Sequence, residues 1–244
     1  AIGDYTKDAK VHTKNKEVSL LSSAFSTMQS NIKSREKEII FQARHDALTS
    51  LYNRQHVKMI LEQRFDKKAS FLAIGINIFG FRGVNDIFGY LNGDRCLKEL
   101  AQRLSKFEGT AARLTGGELL WIPDQEPSAE SIKKMKTALE APIDTGDVII
   151  NIKVALGLIY CPKDANNAEE VFKRLNIVLD EAQITRQFVL AFNAKLEERY
   201  SRRLSIITEL KNTLEHAKEE QISASILSAK QNLRAYRAEI RRNT

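Results

Sequence analysis

Residues Phe71–Ile78 read FLAIGINI, an apolar run with three isoleucines and a phenylalanine in eight positions. A short run of this composition, followed by Gly80 and Gly83, predicts a buried β-strand that ends in a turn. The chain after it alternates between helical and strand-like spacing. We predict helices over Asp94–Phe107, Ser128–Leu139 and Ala168–Ile184, a hairpin of Ala111–Leu114 and Leu119–Ile122 around Gly116-Gly117, and strands over Val148–Ile159 and Phe188–Phe192. The order β-α-β-β-α-β with an extra hairpin predicts a ferredoxin-like α/β sandwich.

Long helices are predicted on both sides of this α/β region. From Glu17 to about Ala43 the apolar residues follow a 4-3-4-7 spacing, which is typical of one stripe of a long helix. From Ala194 to Thr244 the chain has neither glycine nor proline and carries apolar stripes that a lone helix cannot bury. The first helix either pairs as a coiled coil or docks on its own domain, and the sequence leaves both arrangements open. We divide the chain into residues 1–43, 44–193 and 194–244.

The net charge of +7 comes from the two ends of the chain. The first 45 residues carry a net +3 and the last sixteen a net +4, so residues 46–228 are neutral. A neutral core without interleaved aromatic residues argues against a nucleic-acid-binding domain. The two cysteines and four histidines lack the spacing of zinc ligands, which favours Cys96 and Cys161 as buried thiols. No apolar run reaches the roughly 18 residues of a membrane span.

Four motifs occur in order between residues 44 and 193. They are DALTSLYNR (46–54), NIFGFRGVNDIFGYLNGD (77–94), ARLTGGEL (112–119) and ALG with PKD (155–157 and 162–164). The first resembles the DxLTxLxNR motif of GGDEF domains with every fixed position kept. The others are similar to that family's DxDxFKxxNDxxGHxxGD, GGDEF and SxG…PxD segments. The resemblance implies the fold of nucleotidyl cyclases and polymerase palm domains and, as the family's activity, the joining of two GTP molecules into cyclic di-GMP.

The resemblance also implies which residues hold a nucleotide. Asn85 and Asp94 match the residues that hydrogen-bond the guanine edge, and Arg82 replaces the phosphate-facing lysine. Arg113 and Gly116 stand at further nucleotide-binding positions. Asn85 and Asp94 could instead be turn and cap residues. The family's two divalent metals are held by carboxylates, so Mg²⁺ is expected only together with GTP.

This sequence departs from the family at the metal and triphosphate positions. Asn77 and Phe79 replace the two aspartates of the first strand. A neutral amide is a poorer ligand for Mg²⁺ than a carboxylate, and a phenyl ring is no ligand at all. Gln183 and Gln187 stand where the family carries basic side chains that bind the triphosphate. These two positions therefore carry no positive charge in this chain.

The hairpin can be aligned with the family in two ways. Without a gap, Gly117 replaces the variable acidic residue, and Glu118 is the only carboxylate left. With one residue inserted after Arg113, Glu118 takes the acidic position and Leu119 replaces the glutamate that follows it. The sequence leaves both alignments open, and one acidic group is missing in either.

The flanking segments carry resemblances of their own. Ile2–Tyr5 and Glu17–Met28 resemble the connector and second helix of a HAMP module. Arg202–Leu210 looks like the helix that opens an EAL phosphodiesterase domain. These flanks imply the cytoplasmic portion of a bacterial inner-membrane protein. Within the domain, the resemblance implies a structural ion pair between Asp46 and Arg54.

Three functions are considered for the chain. The loss of acidic and basic groups favours a non-catalytic regulatory module that relays a membrane-receptor signal to an adjoining phosphodiesterase and holds GTP weakly. The alternatives are an active diguanylate cyclase with unusual metal ligands and a dimerisation or scaffold domain without nucleotide. A homodimer and an adjoining EAL domain are the expected partners.

Overall fold

The computed structural model describes residues 16–215, in which a long helix leads into an α/β domain. The elements in chain order are α1 (Lys16–Arg44), α2 (Arg54–Asp66), β1 (Phe71–Ile78), α3 (Phe81–Phe88), α4 (Tyr90–Leu104), β2 (Gly109–Thr115), β3 (Glu118–Pro123), α5 (Ala129–Leu139), β4 (Ile143–Asp144), β5 (Ile149–Ile150), β6 (Val154–Cys161), α6 (Ala168–Thr185) and β7 (Val189–Ala191).

Five strands form one sheet in the order β2-β3-β1-β6-β7. The central strand β1 is antiparallel to β3 and β6, β2 is antiparallel to β3, and β7 joins β6 in parallel. The short strands β4 and β5 form a separate hairpin. The strands β1, β2, β3 and β6 with their crossover helices have the β-α-β-β-α-β order, which confirms the predicted ferredoxin-like sandwich.

Helices cover both faces of the sheet. On one face, side chains of β1, β3 and β6 form the main core with α4 and α5. Alternation along β1 puts Gly75 and Asn77 on the opposite face, which α6 covers. A Cβ atom at Gly75 would lie 2.9 Å from Leu175 Cδ2, and one at Gly157 would lie 3.1 Å from Val178 Cγ1. These two glycines therefore let α6 pack close to the sheet.

Most predicted elements are confirmed, including β1, the hairpin and the helix that Ser128 caps by accepting a hydrogen bond from the Ser131 amide at 3.1 Å. The single predicted strand over Val148–Ile159 is wrong. It is two strands, β5 and β6, because the first part pairs with β4 and the second with β1. The sequence patterns do not predict α2 or α3.

A second unit begins at Asn193. Residues 194–215 are helical, and Leu204, Ile207 and Leu210 of their apolar stripe are exposed. The predicted later stripe, from Ile222 to Ile240, and the HAMP-like segment Ile2–Tyr5 lie outside the described residues. Within residues 16–215, no helix combines the length and the hydropathy that spanning a membrane requires.

Candidate functional site

The end of β1 brings an amide and a carboxylate side by side. Asn77 pairs with Glu118 on β3 and with Ala155 on β6. Directly opposite residues of neighbouring strands share a face of the sheet, and Asn77 lies two residues after Gly75 on the face that α6 covers. Both Asn77 and Glu118 are half-buried. The sheet thus positions the carboxylate of Glu118 beside the amide of Asn77, which the resemblance predicts at the position of the family's first aspartate.

Glu118 lies in a partly desolvated position between α2 and α6. Burial raises the pKa of Glu118, the negative charge of Asp180 raises it further, and the charge of Arg54 opposes both. The guanidinium of Arg54 also stacks on Phe172, with its Cζ 4.4 Å from the ring centroid. Asp180 is a site residue that the sequence analysis missed, because no motif contains it. Asp180 precedes Gln183 by three residues on the same helix, so the two side chains are neighbours on its surface. That spacing is the sequence feature that could have indicated Asp180.

The β2 strand carries a β-bulge directly after Arg113. Arg113 pairs with Leu119. The next pair is Thr115 with Glu118, so β2 holds one more residue than β3 between the two pairs. This is where the gapped alignment needs its inserted residue. In that alignment Glu118 takes the variable acidic position, and the fully buried Leu119 takes the position of the following glutamate.

The turn of the hairpin closes against α3. Gly116 has a φ of 50°, in the left-handed region that glycine adopts most easily. Gly117 is buried, and a Cβ atom there would lie 3.0 Å from Phe81 Cγ. A carboxylate side chain at position 117 would require the Phe81 ring to move.

Arg113 ties the hairpin to the loop between α1 and α2. Its Nη1 donates to Asp46 Oδ1 at 3.1 Å, and its Nη2 donates to the Gly116 carbonyl at 3.1 Å. The predicted ion pair between Asp46 and Arg54 is therefore wrong. Asp46 turns toward β2, whereas Arg54, at the first position of α2, points across to the Phe172 ring on α6. Arg113, expected to bind nucleotide, is engaged within the protein.

The expected guanine-reading residues lie on two neighbouring helices. Asn85 of α3 packs directly on Gly93 of α4, where a Cβ atom would lie 1.9 Å from Asn85 Oδ1. Asp94 follows Gly93 and is exposed, so the structure brings the two expected guanine ligands close together. Arg82 is almost fully exposed, with its Nε 3.9 Å from Asp86 Oδ2.

Phe79, which the resemblance predicts at the position of the family's second aspartate, occupies an aromatic and apolar corner. It packs against the buried cluster of Ala155, Leu179 and Ala182. Its ring meets that of Phe188 edge to face, with centroids 5.4 Å apart. Gln183 and Gln187 are exposed. The position next to Asn77 is therefore filled by packed side chains.

The remaining candidate ligands are scattered. In the part of the chain that the structure describes, no three His, Cys, Asp or Glu side chains group in a way that could hold a metal ion. Cys96 and Cys161 are buried and free, as the sequence indicated. Burial raises the pKa of the Cys161 thiol to about 12.

Residues 43–187 match the sequence profile of the family described as diguanylate cyclase, GGDEF domain. The match covers more than half of the chain. This chain therefore belongs to the GGDEF family, as the four motifs indicated.

Curated relatives share the same region. MucR of Pseudomonas aeruginosa, a bifunctional diguanylate cyclase/cyclic di-GMP phosphodiesterase, is 25% identical over 208 residues, which is 81% of this chain and 30% of MucR. An uncharacterized signaling protein of Caulobacter vibrioides is 30% identical over 169 residues, 64% of this chain and 21% of that protein. The chain thus spans between a fifth and a third of the length of these relatives.

Solved structures share the fold. A sensory box/GGDEF family protein from Caulobacter crescentus is 28% identical, with a TM-score of 0.54 over 58% of this chain and 99% of that one. The coiled coil and GGDEF domain of DgcB from the same organism, in complex with c-di-GMP, has a TM-score of 0.62 at 17% identity, over 73% of this chain and all of that one. At that identity the likeness shows the fold alone. The mixed α/β domain with its central sheet is that of GGDEF cyclases.

Proposed function

We propose that this chain is a non-catalytic regulatory GGDEF module in cyclic di-GMP signalling. It relays a signal received through α1 to an adjoining phosphodiesterase, and it holds GTP weakly without converting it. The observation that carries the proposal is the composition of the β1 end, where Glu118 is the only carboxylate among the hairpin and first-strand positions that bind metal in the family.

The chemistry of the family needs more acidic groups than this site supplies. Joining two GTP molecules uses two divalent cations that stabilise the attacking and leaving oxygens, and Mg²⁺ requires several oxygen ligands in octahedral geometry. Here Asn77 offers one neutral oxygen, and Phe79 is packed against Phe188. The residues present do not fit a two-metal site, so we assign no reaction step to a metal.

Weak nucleotide binding is proposed through Asn85 and Asp94. The close contact of Asn85 with Gly93, the residue before Asp94, restrains the Asn85 side chain, and preorganised polar groups cost less entropy on binding. Isothermal titration with GTP, with and without Mg²⁺, tests this part. Asn85→Ala and Asp94→Ala should each weaken binding at least about tenfold, the effect of losing about 1.4 kcal/mol.

The variant Asn92→Ala is the matched control for these titrations. Asn92 is an amide on α4, the helix that carries Asp94. Its Nδ2 donates to the Phe88 carbonyl at 2.9 Å and its Oδ1 accepts from Arg95 at 3.3 Å, so both ends of the amide are engaged within the protein and Asn92→Ala should leave GTP affinity unchanged. Undetectable GTP binding by the unmodified chain would favour the scaffold function instead. Equal weakening by all three substitutions would point to damaged packing of α3 on α4.

A homodimer through α1 is proposed from the exposure of its apolar stripe. Leu21, Phe25, Met28 and Ile39 are 72%, 42%, 50% and 64% exposed, and a helix with such a stripe is stabilised by a partner. Phe25→Glu should shift the chain toward monomer in sedimentation-velocity experiments. Ser30→Glu, an exposed position on the same helix, is the control and should leave the distribution unchanged.

The proposed link to a membrane receptor and a phosphodiesterase rests on the flanks. The similarity to MucR extends over 81% of this chain, beyond the residues that match the family profile. Residues 202–210, which resemble an EAL-linking helix, are helical. In a longer protein that contains an active EAL domain, Phe25→Glu should change phosphodiesterase activity, whereas Ser30→Glu should not.

A further inference from the structure

Four aromatic rings connect the end of α1 to the start of α2. Phe41, His45, Tyr52 and His56 follow one another with ring centroids 4.0, 4.6 and 4.6 Å apart. The first two rings are parallel to within 10°, and the later pairs are tilted by 31° and 43°. We call these four residues the ring stack. Because Phe41 belongs to α1 and His56 to the first turn of α2, the ring stack joins the long helix to the domain.

The middle of the ring stack is anchored to the sheet. His45 and Tyr52 form an isolated antiparallel bridge, and Tyr52 also bridges to Ala112 of β2. The Nδ1 of His45 lies 2.8 Å from the Ser50 carbonyl. A carbonyl only accepts, so the ring donates this bond, and protonation of the other nitrogen leaves it intact. A displacement of the ring stack would therefore reach β2, which carries the hairpin.

His56 occupies a position where a positive charge is unfavourable. It is the third residue of α2, and its amide donates to the side chain of the N-cap Asn53 at 2.9 Å. The first turn of α2 contains no acidic residue, and the positive end of a helix dipole disfavours a cation there. Burial lowers the pKa of His56, and the charge of Arg44 from the end of α1 and that of His45 lower it further.

No anion in the α1–α2 loop compensates this charge. The one carboxylate of residues 45–53 is Asp46, and its Oδ1 already accepts hydrogen bonds from the Thr49 hydroxyl and from Arg113. Lys58, two residues after His56 on α2, is a further cation, and it forms an ion pair with Glu169 of α6. Arg44 and Lys58 are thus cations, and the carboxylate of Asp46 is already paired.

We propose that the ring stack is an acid-responsive joint, in which protonation of His56 opens the contact between α1 and α2. The closed stack favours the neutral form of His56, because burial and the nearby cations disfavour its protonated form. An open arrangement therefore binds a proton more tightly, and lowering the pH shifts the population toward the open arrangement. The consequence is that acidic pH weakens the ring contacts between α1 and α2, while the bridge from Tyr52 to Ala112 and the Asp46–Arg113 pair remain. This input is separate from the signal proposed to arrive along α1, and it requires neither nucleotide nor catalysis.

Distances between spin labels on α1 and on the domain test this proposal. Ser30→Cys and Lys98→Cys are exposed positions on α1 and α4, and the natural cysteines are buried. The labelled chain is diluted with unlabelled chain, so that only distances within one chain are recorded. Between about pH 7.5 and about pH 5.5 we expect a second distance population to appear, with a midpoint below the ordinary histidine pKa of about 6.5.

The variant His56→Phe keeps a ring in the stack and removes the titrating group. It should reduce the acid-induced population at least about fivefold, because the ring can no longer take a proton. His56→Gln gives the same test if the phenylalanine variant does not fold. A distance distribution that is unchanged by pH, or a full pH response in these variants, overturns the proposal. So does an NMR titration in which the His56 ring protonates at or above about pH 6.5.

Discussion

Replacing Asp46 with alanine would remove the anchor between the α1–α2 loop and the hairpin. The Oδ1 of Asp46 accepts hydrogen bonds from the Thr49 amide at 2.9 Å, the Thr49 hydroxyl at 2.7 Å and Arg113 at 3.1 Å. The side chains of Asp46 and Arg113 are only 25% and 17% exposed, so water screens this pair less than a surface pair. We expect Asp46→Ala to lower the free energy of unfolding by about 2 kcal/mol and Tm by about 4–8 °C.

Urea unfolding followed by fluorescence measures this loss. Trp121 is the only tryptophan and is buried in β3, so its emission reports unfolding of the domain. In a double-mutant cycle, Asp46→Ala and Arg113→Ala should couple by about 1 kcal/mol, whereas Asp46→Ala and Arg54→Ala should be additive within about 0.5 kcal/mol. A coupling to Arg54 as large as that to Arg113 would refute the structural assignment and restore the pair that the motif implies.

The contribution of Asp46 to the free energy of unfolding should depend on pH in a defined direction. Burial alone would raise the pKa of Asp46, but the hydrogen bonds from Thr49 and Arg113 outweigh burial and lower it. A lowered folded pKa stabilises the protein above the unfolded value of about 3.9, and this contribution is lost as the pH falls through the folded pKa. The stability difference between the unmodified chain and Asp46→Asn should therefore shrink below about pH 4.

Three further substitutions follow from the packing. Arg186 ends α6 with a φ of 54°, so Arg186→Gly should raise the unfolding free energy by about 1 kcal/mol; a loss in urea titration would contradict this. Gly75→Ala would place a Cβ 2.9 Å from Leu175 and should cost about 1–3 kcal/mol, visible as a lower Tm. Glu140 accepts from Lys136 and from the Val154 amide, so Glu140→Ala should cost about 2 kcal/mol, and an unchanged urea midpoint would exclude that role.

The central fold could be predicted because its strands are continuous apolar runs. Phe71–Ile78 is buried on both faces, so its composition alone distinguishes it from the loops around it. The helix α3, in contrast, is eight residues long, contains Gly83 and begins after a left-handed Gly80. Its first residue, Phe81, packs on Gly117 of the hairpin, and no local pattern contains that contact. Hydrophobic periodicity does not predict short elements that are stabilised by tertiary contacts.

The sequence predicted which residues form the candidate site, but it predicted only some of the contacts between them. The motifs identified Asn77, Asn85, Asp94 and Glu118, and the structure brings them together in two pairs. They could not supply the partner of Asp46, because Arg113 is 67 residues away in the chain and the contact depends on how β2 is registered in the sheet. The bulge after Arg113 is likewise a property of the pairing of β2 with β3, so the sequence alone could not predict it.

The absence of GTP turnover is the central claim, and product analysis tests it most directly. The purified chain is incubated with GTP and either Mg²⁺ or Mn²⁺, and cyclic di-GMP is quantified by chromatography and mass spectrometry. With Glu118 as the single remaining carboxylate of the hairpin and Asn77 beside it, we predict no product above a protein-free blank, the same result as for the Glu118→Ala variant. Cyclic di-GMP that accumulates with the unmodified chain and disappears with Glu118→Ala would contradict this account and establish an active cyclase.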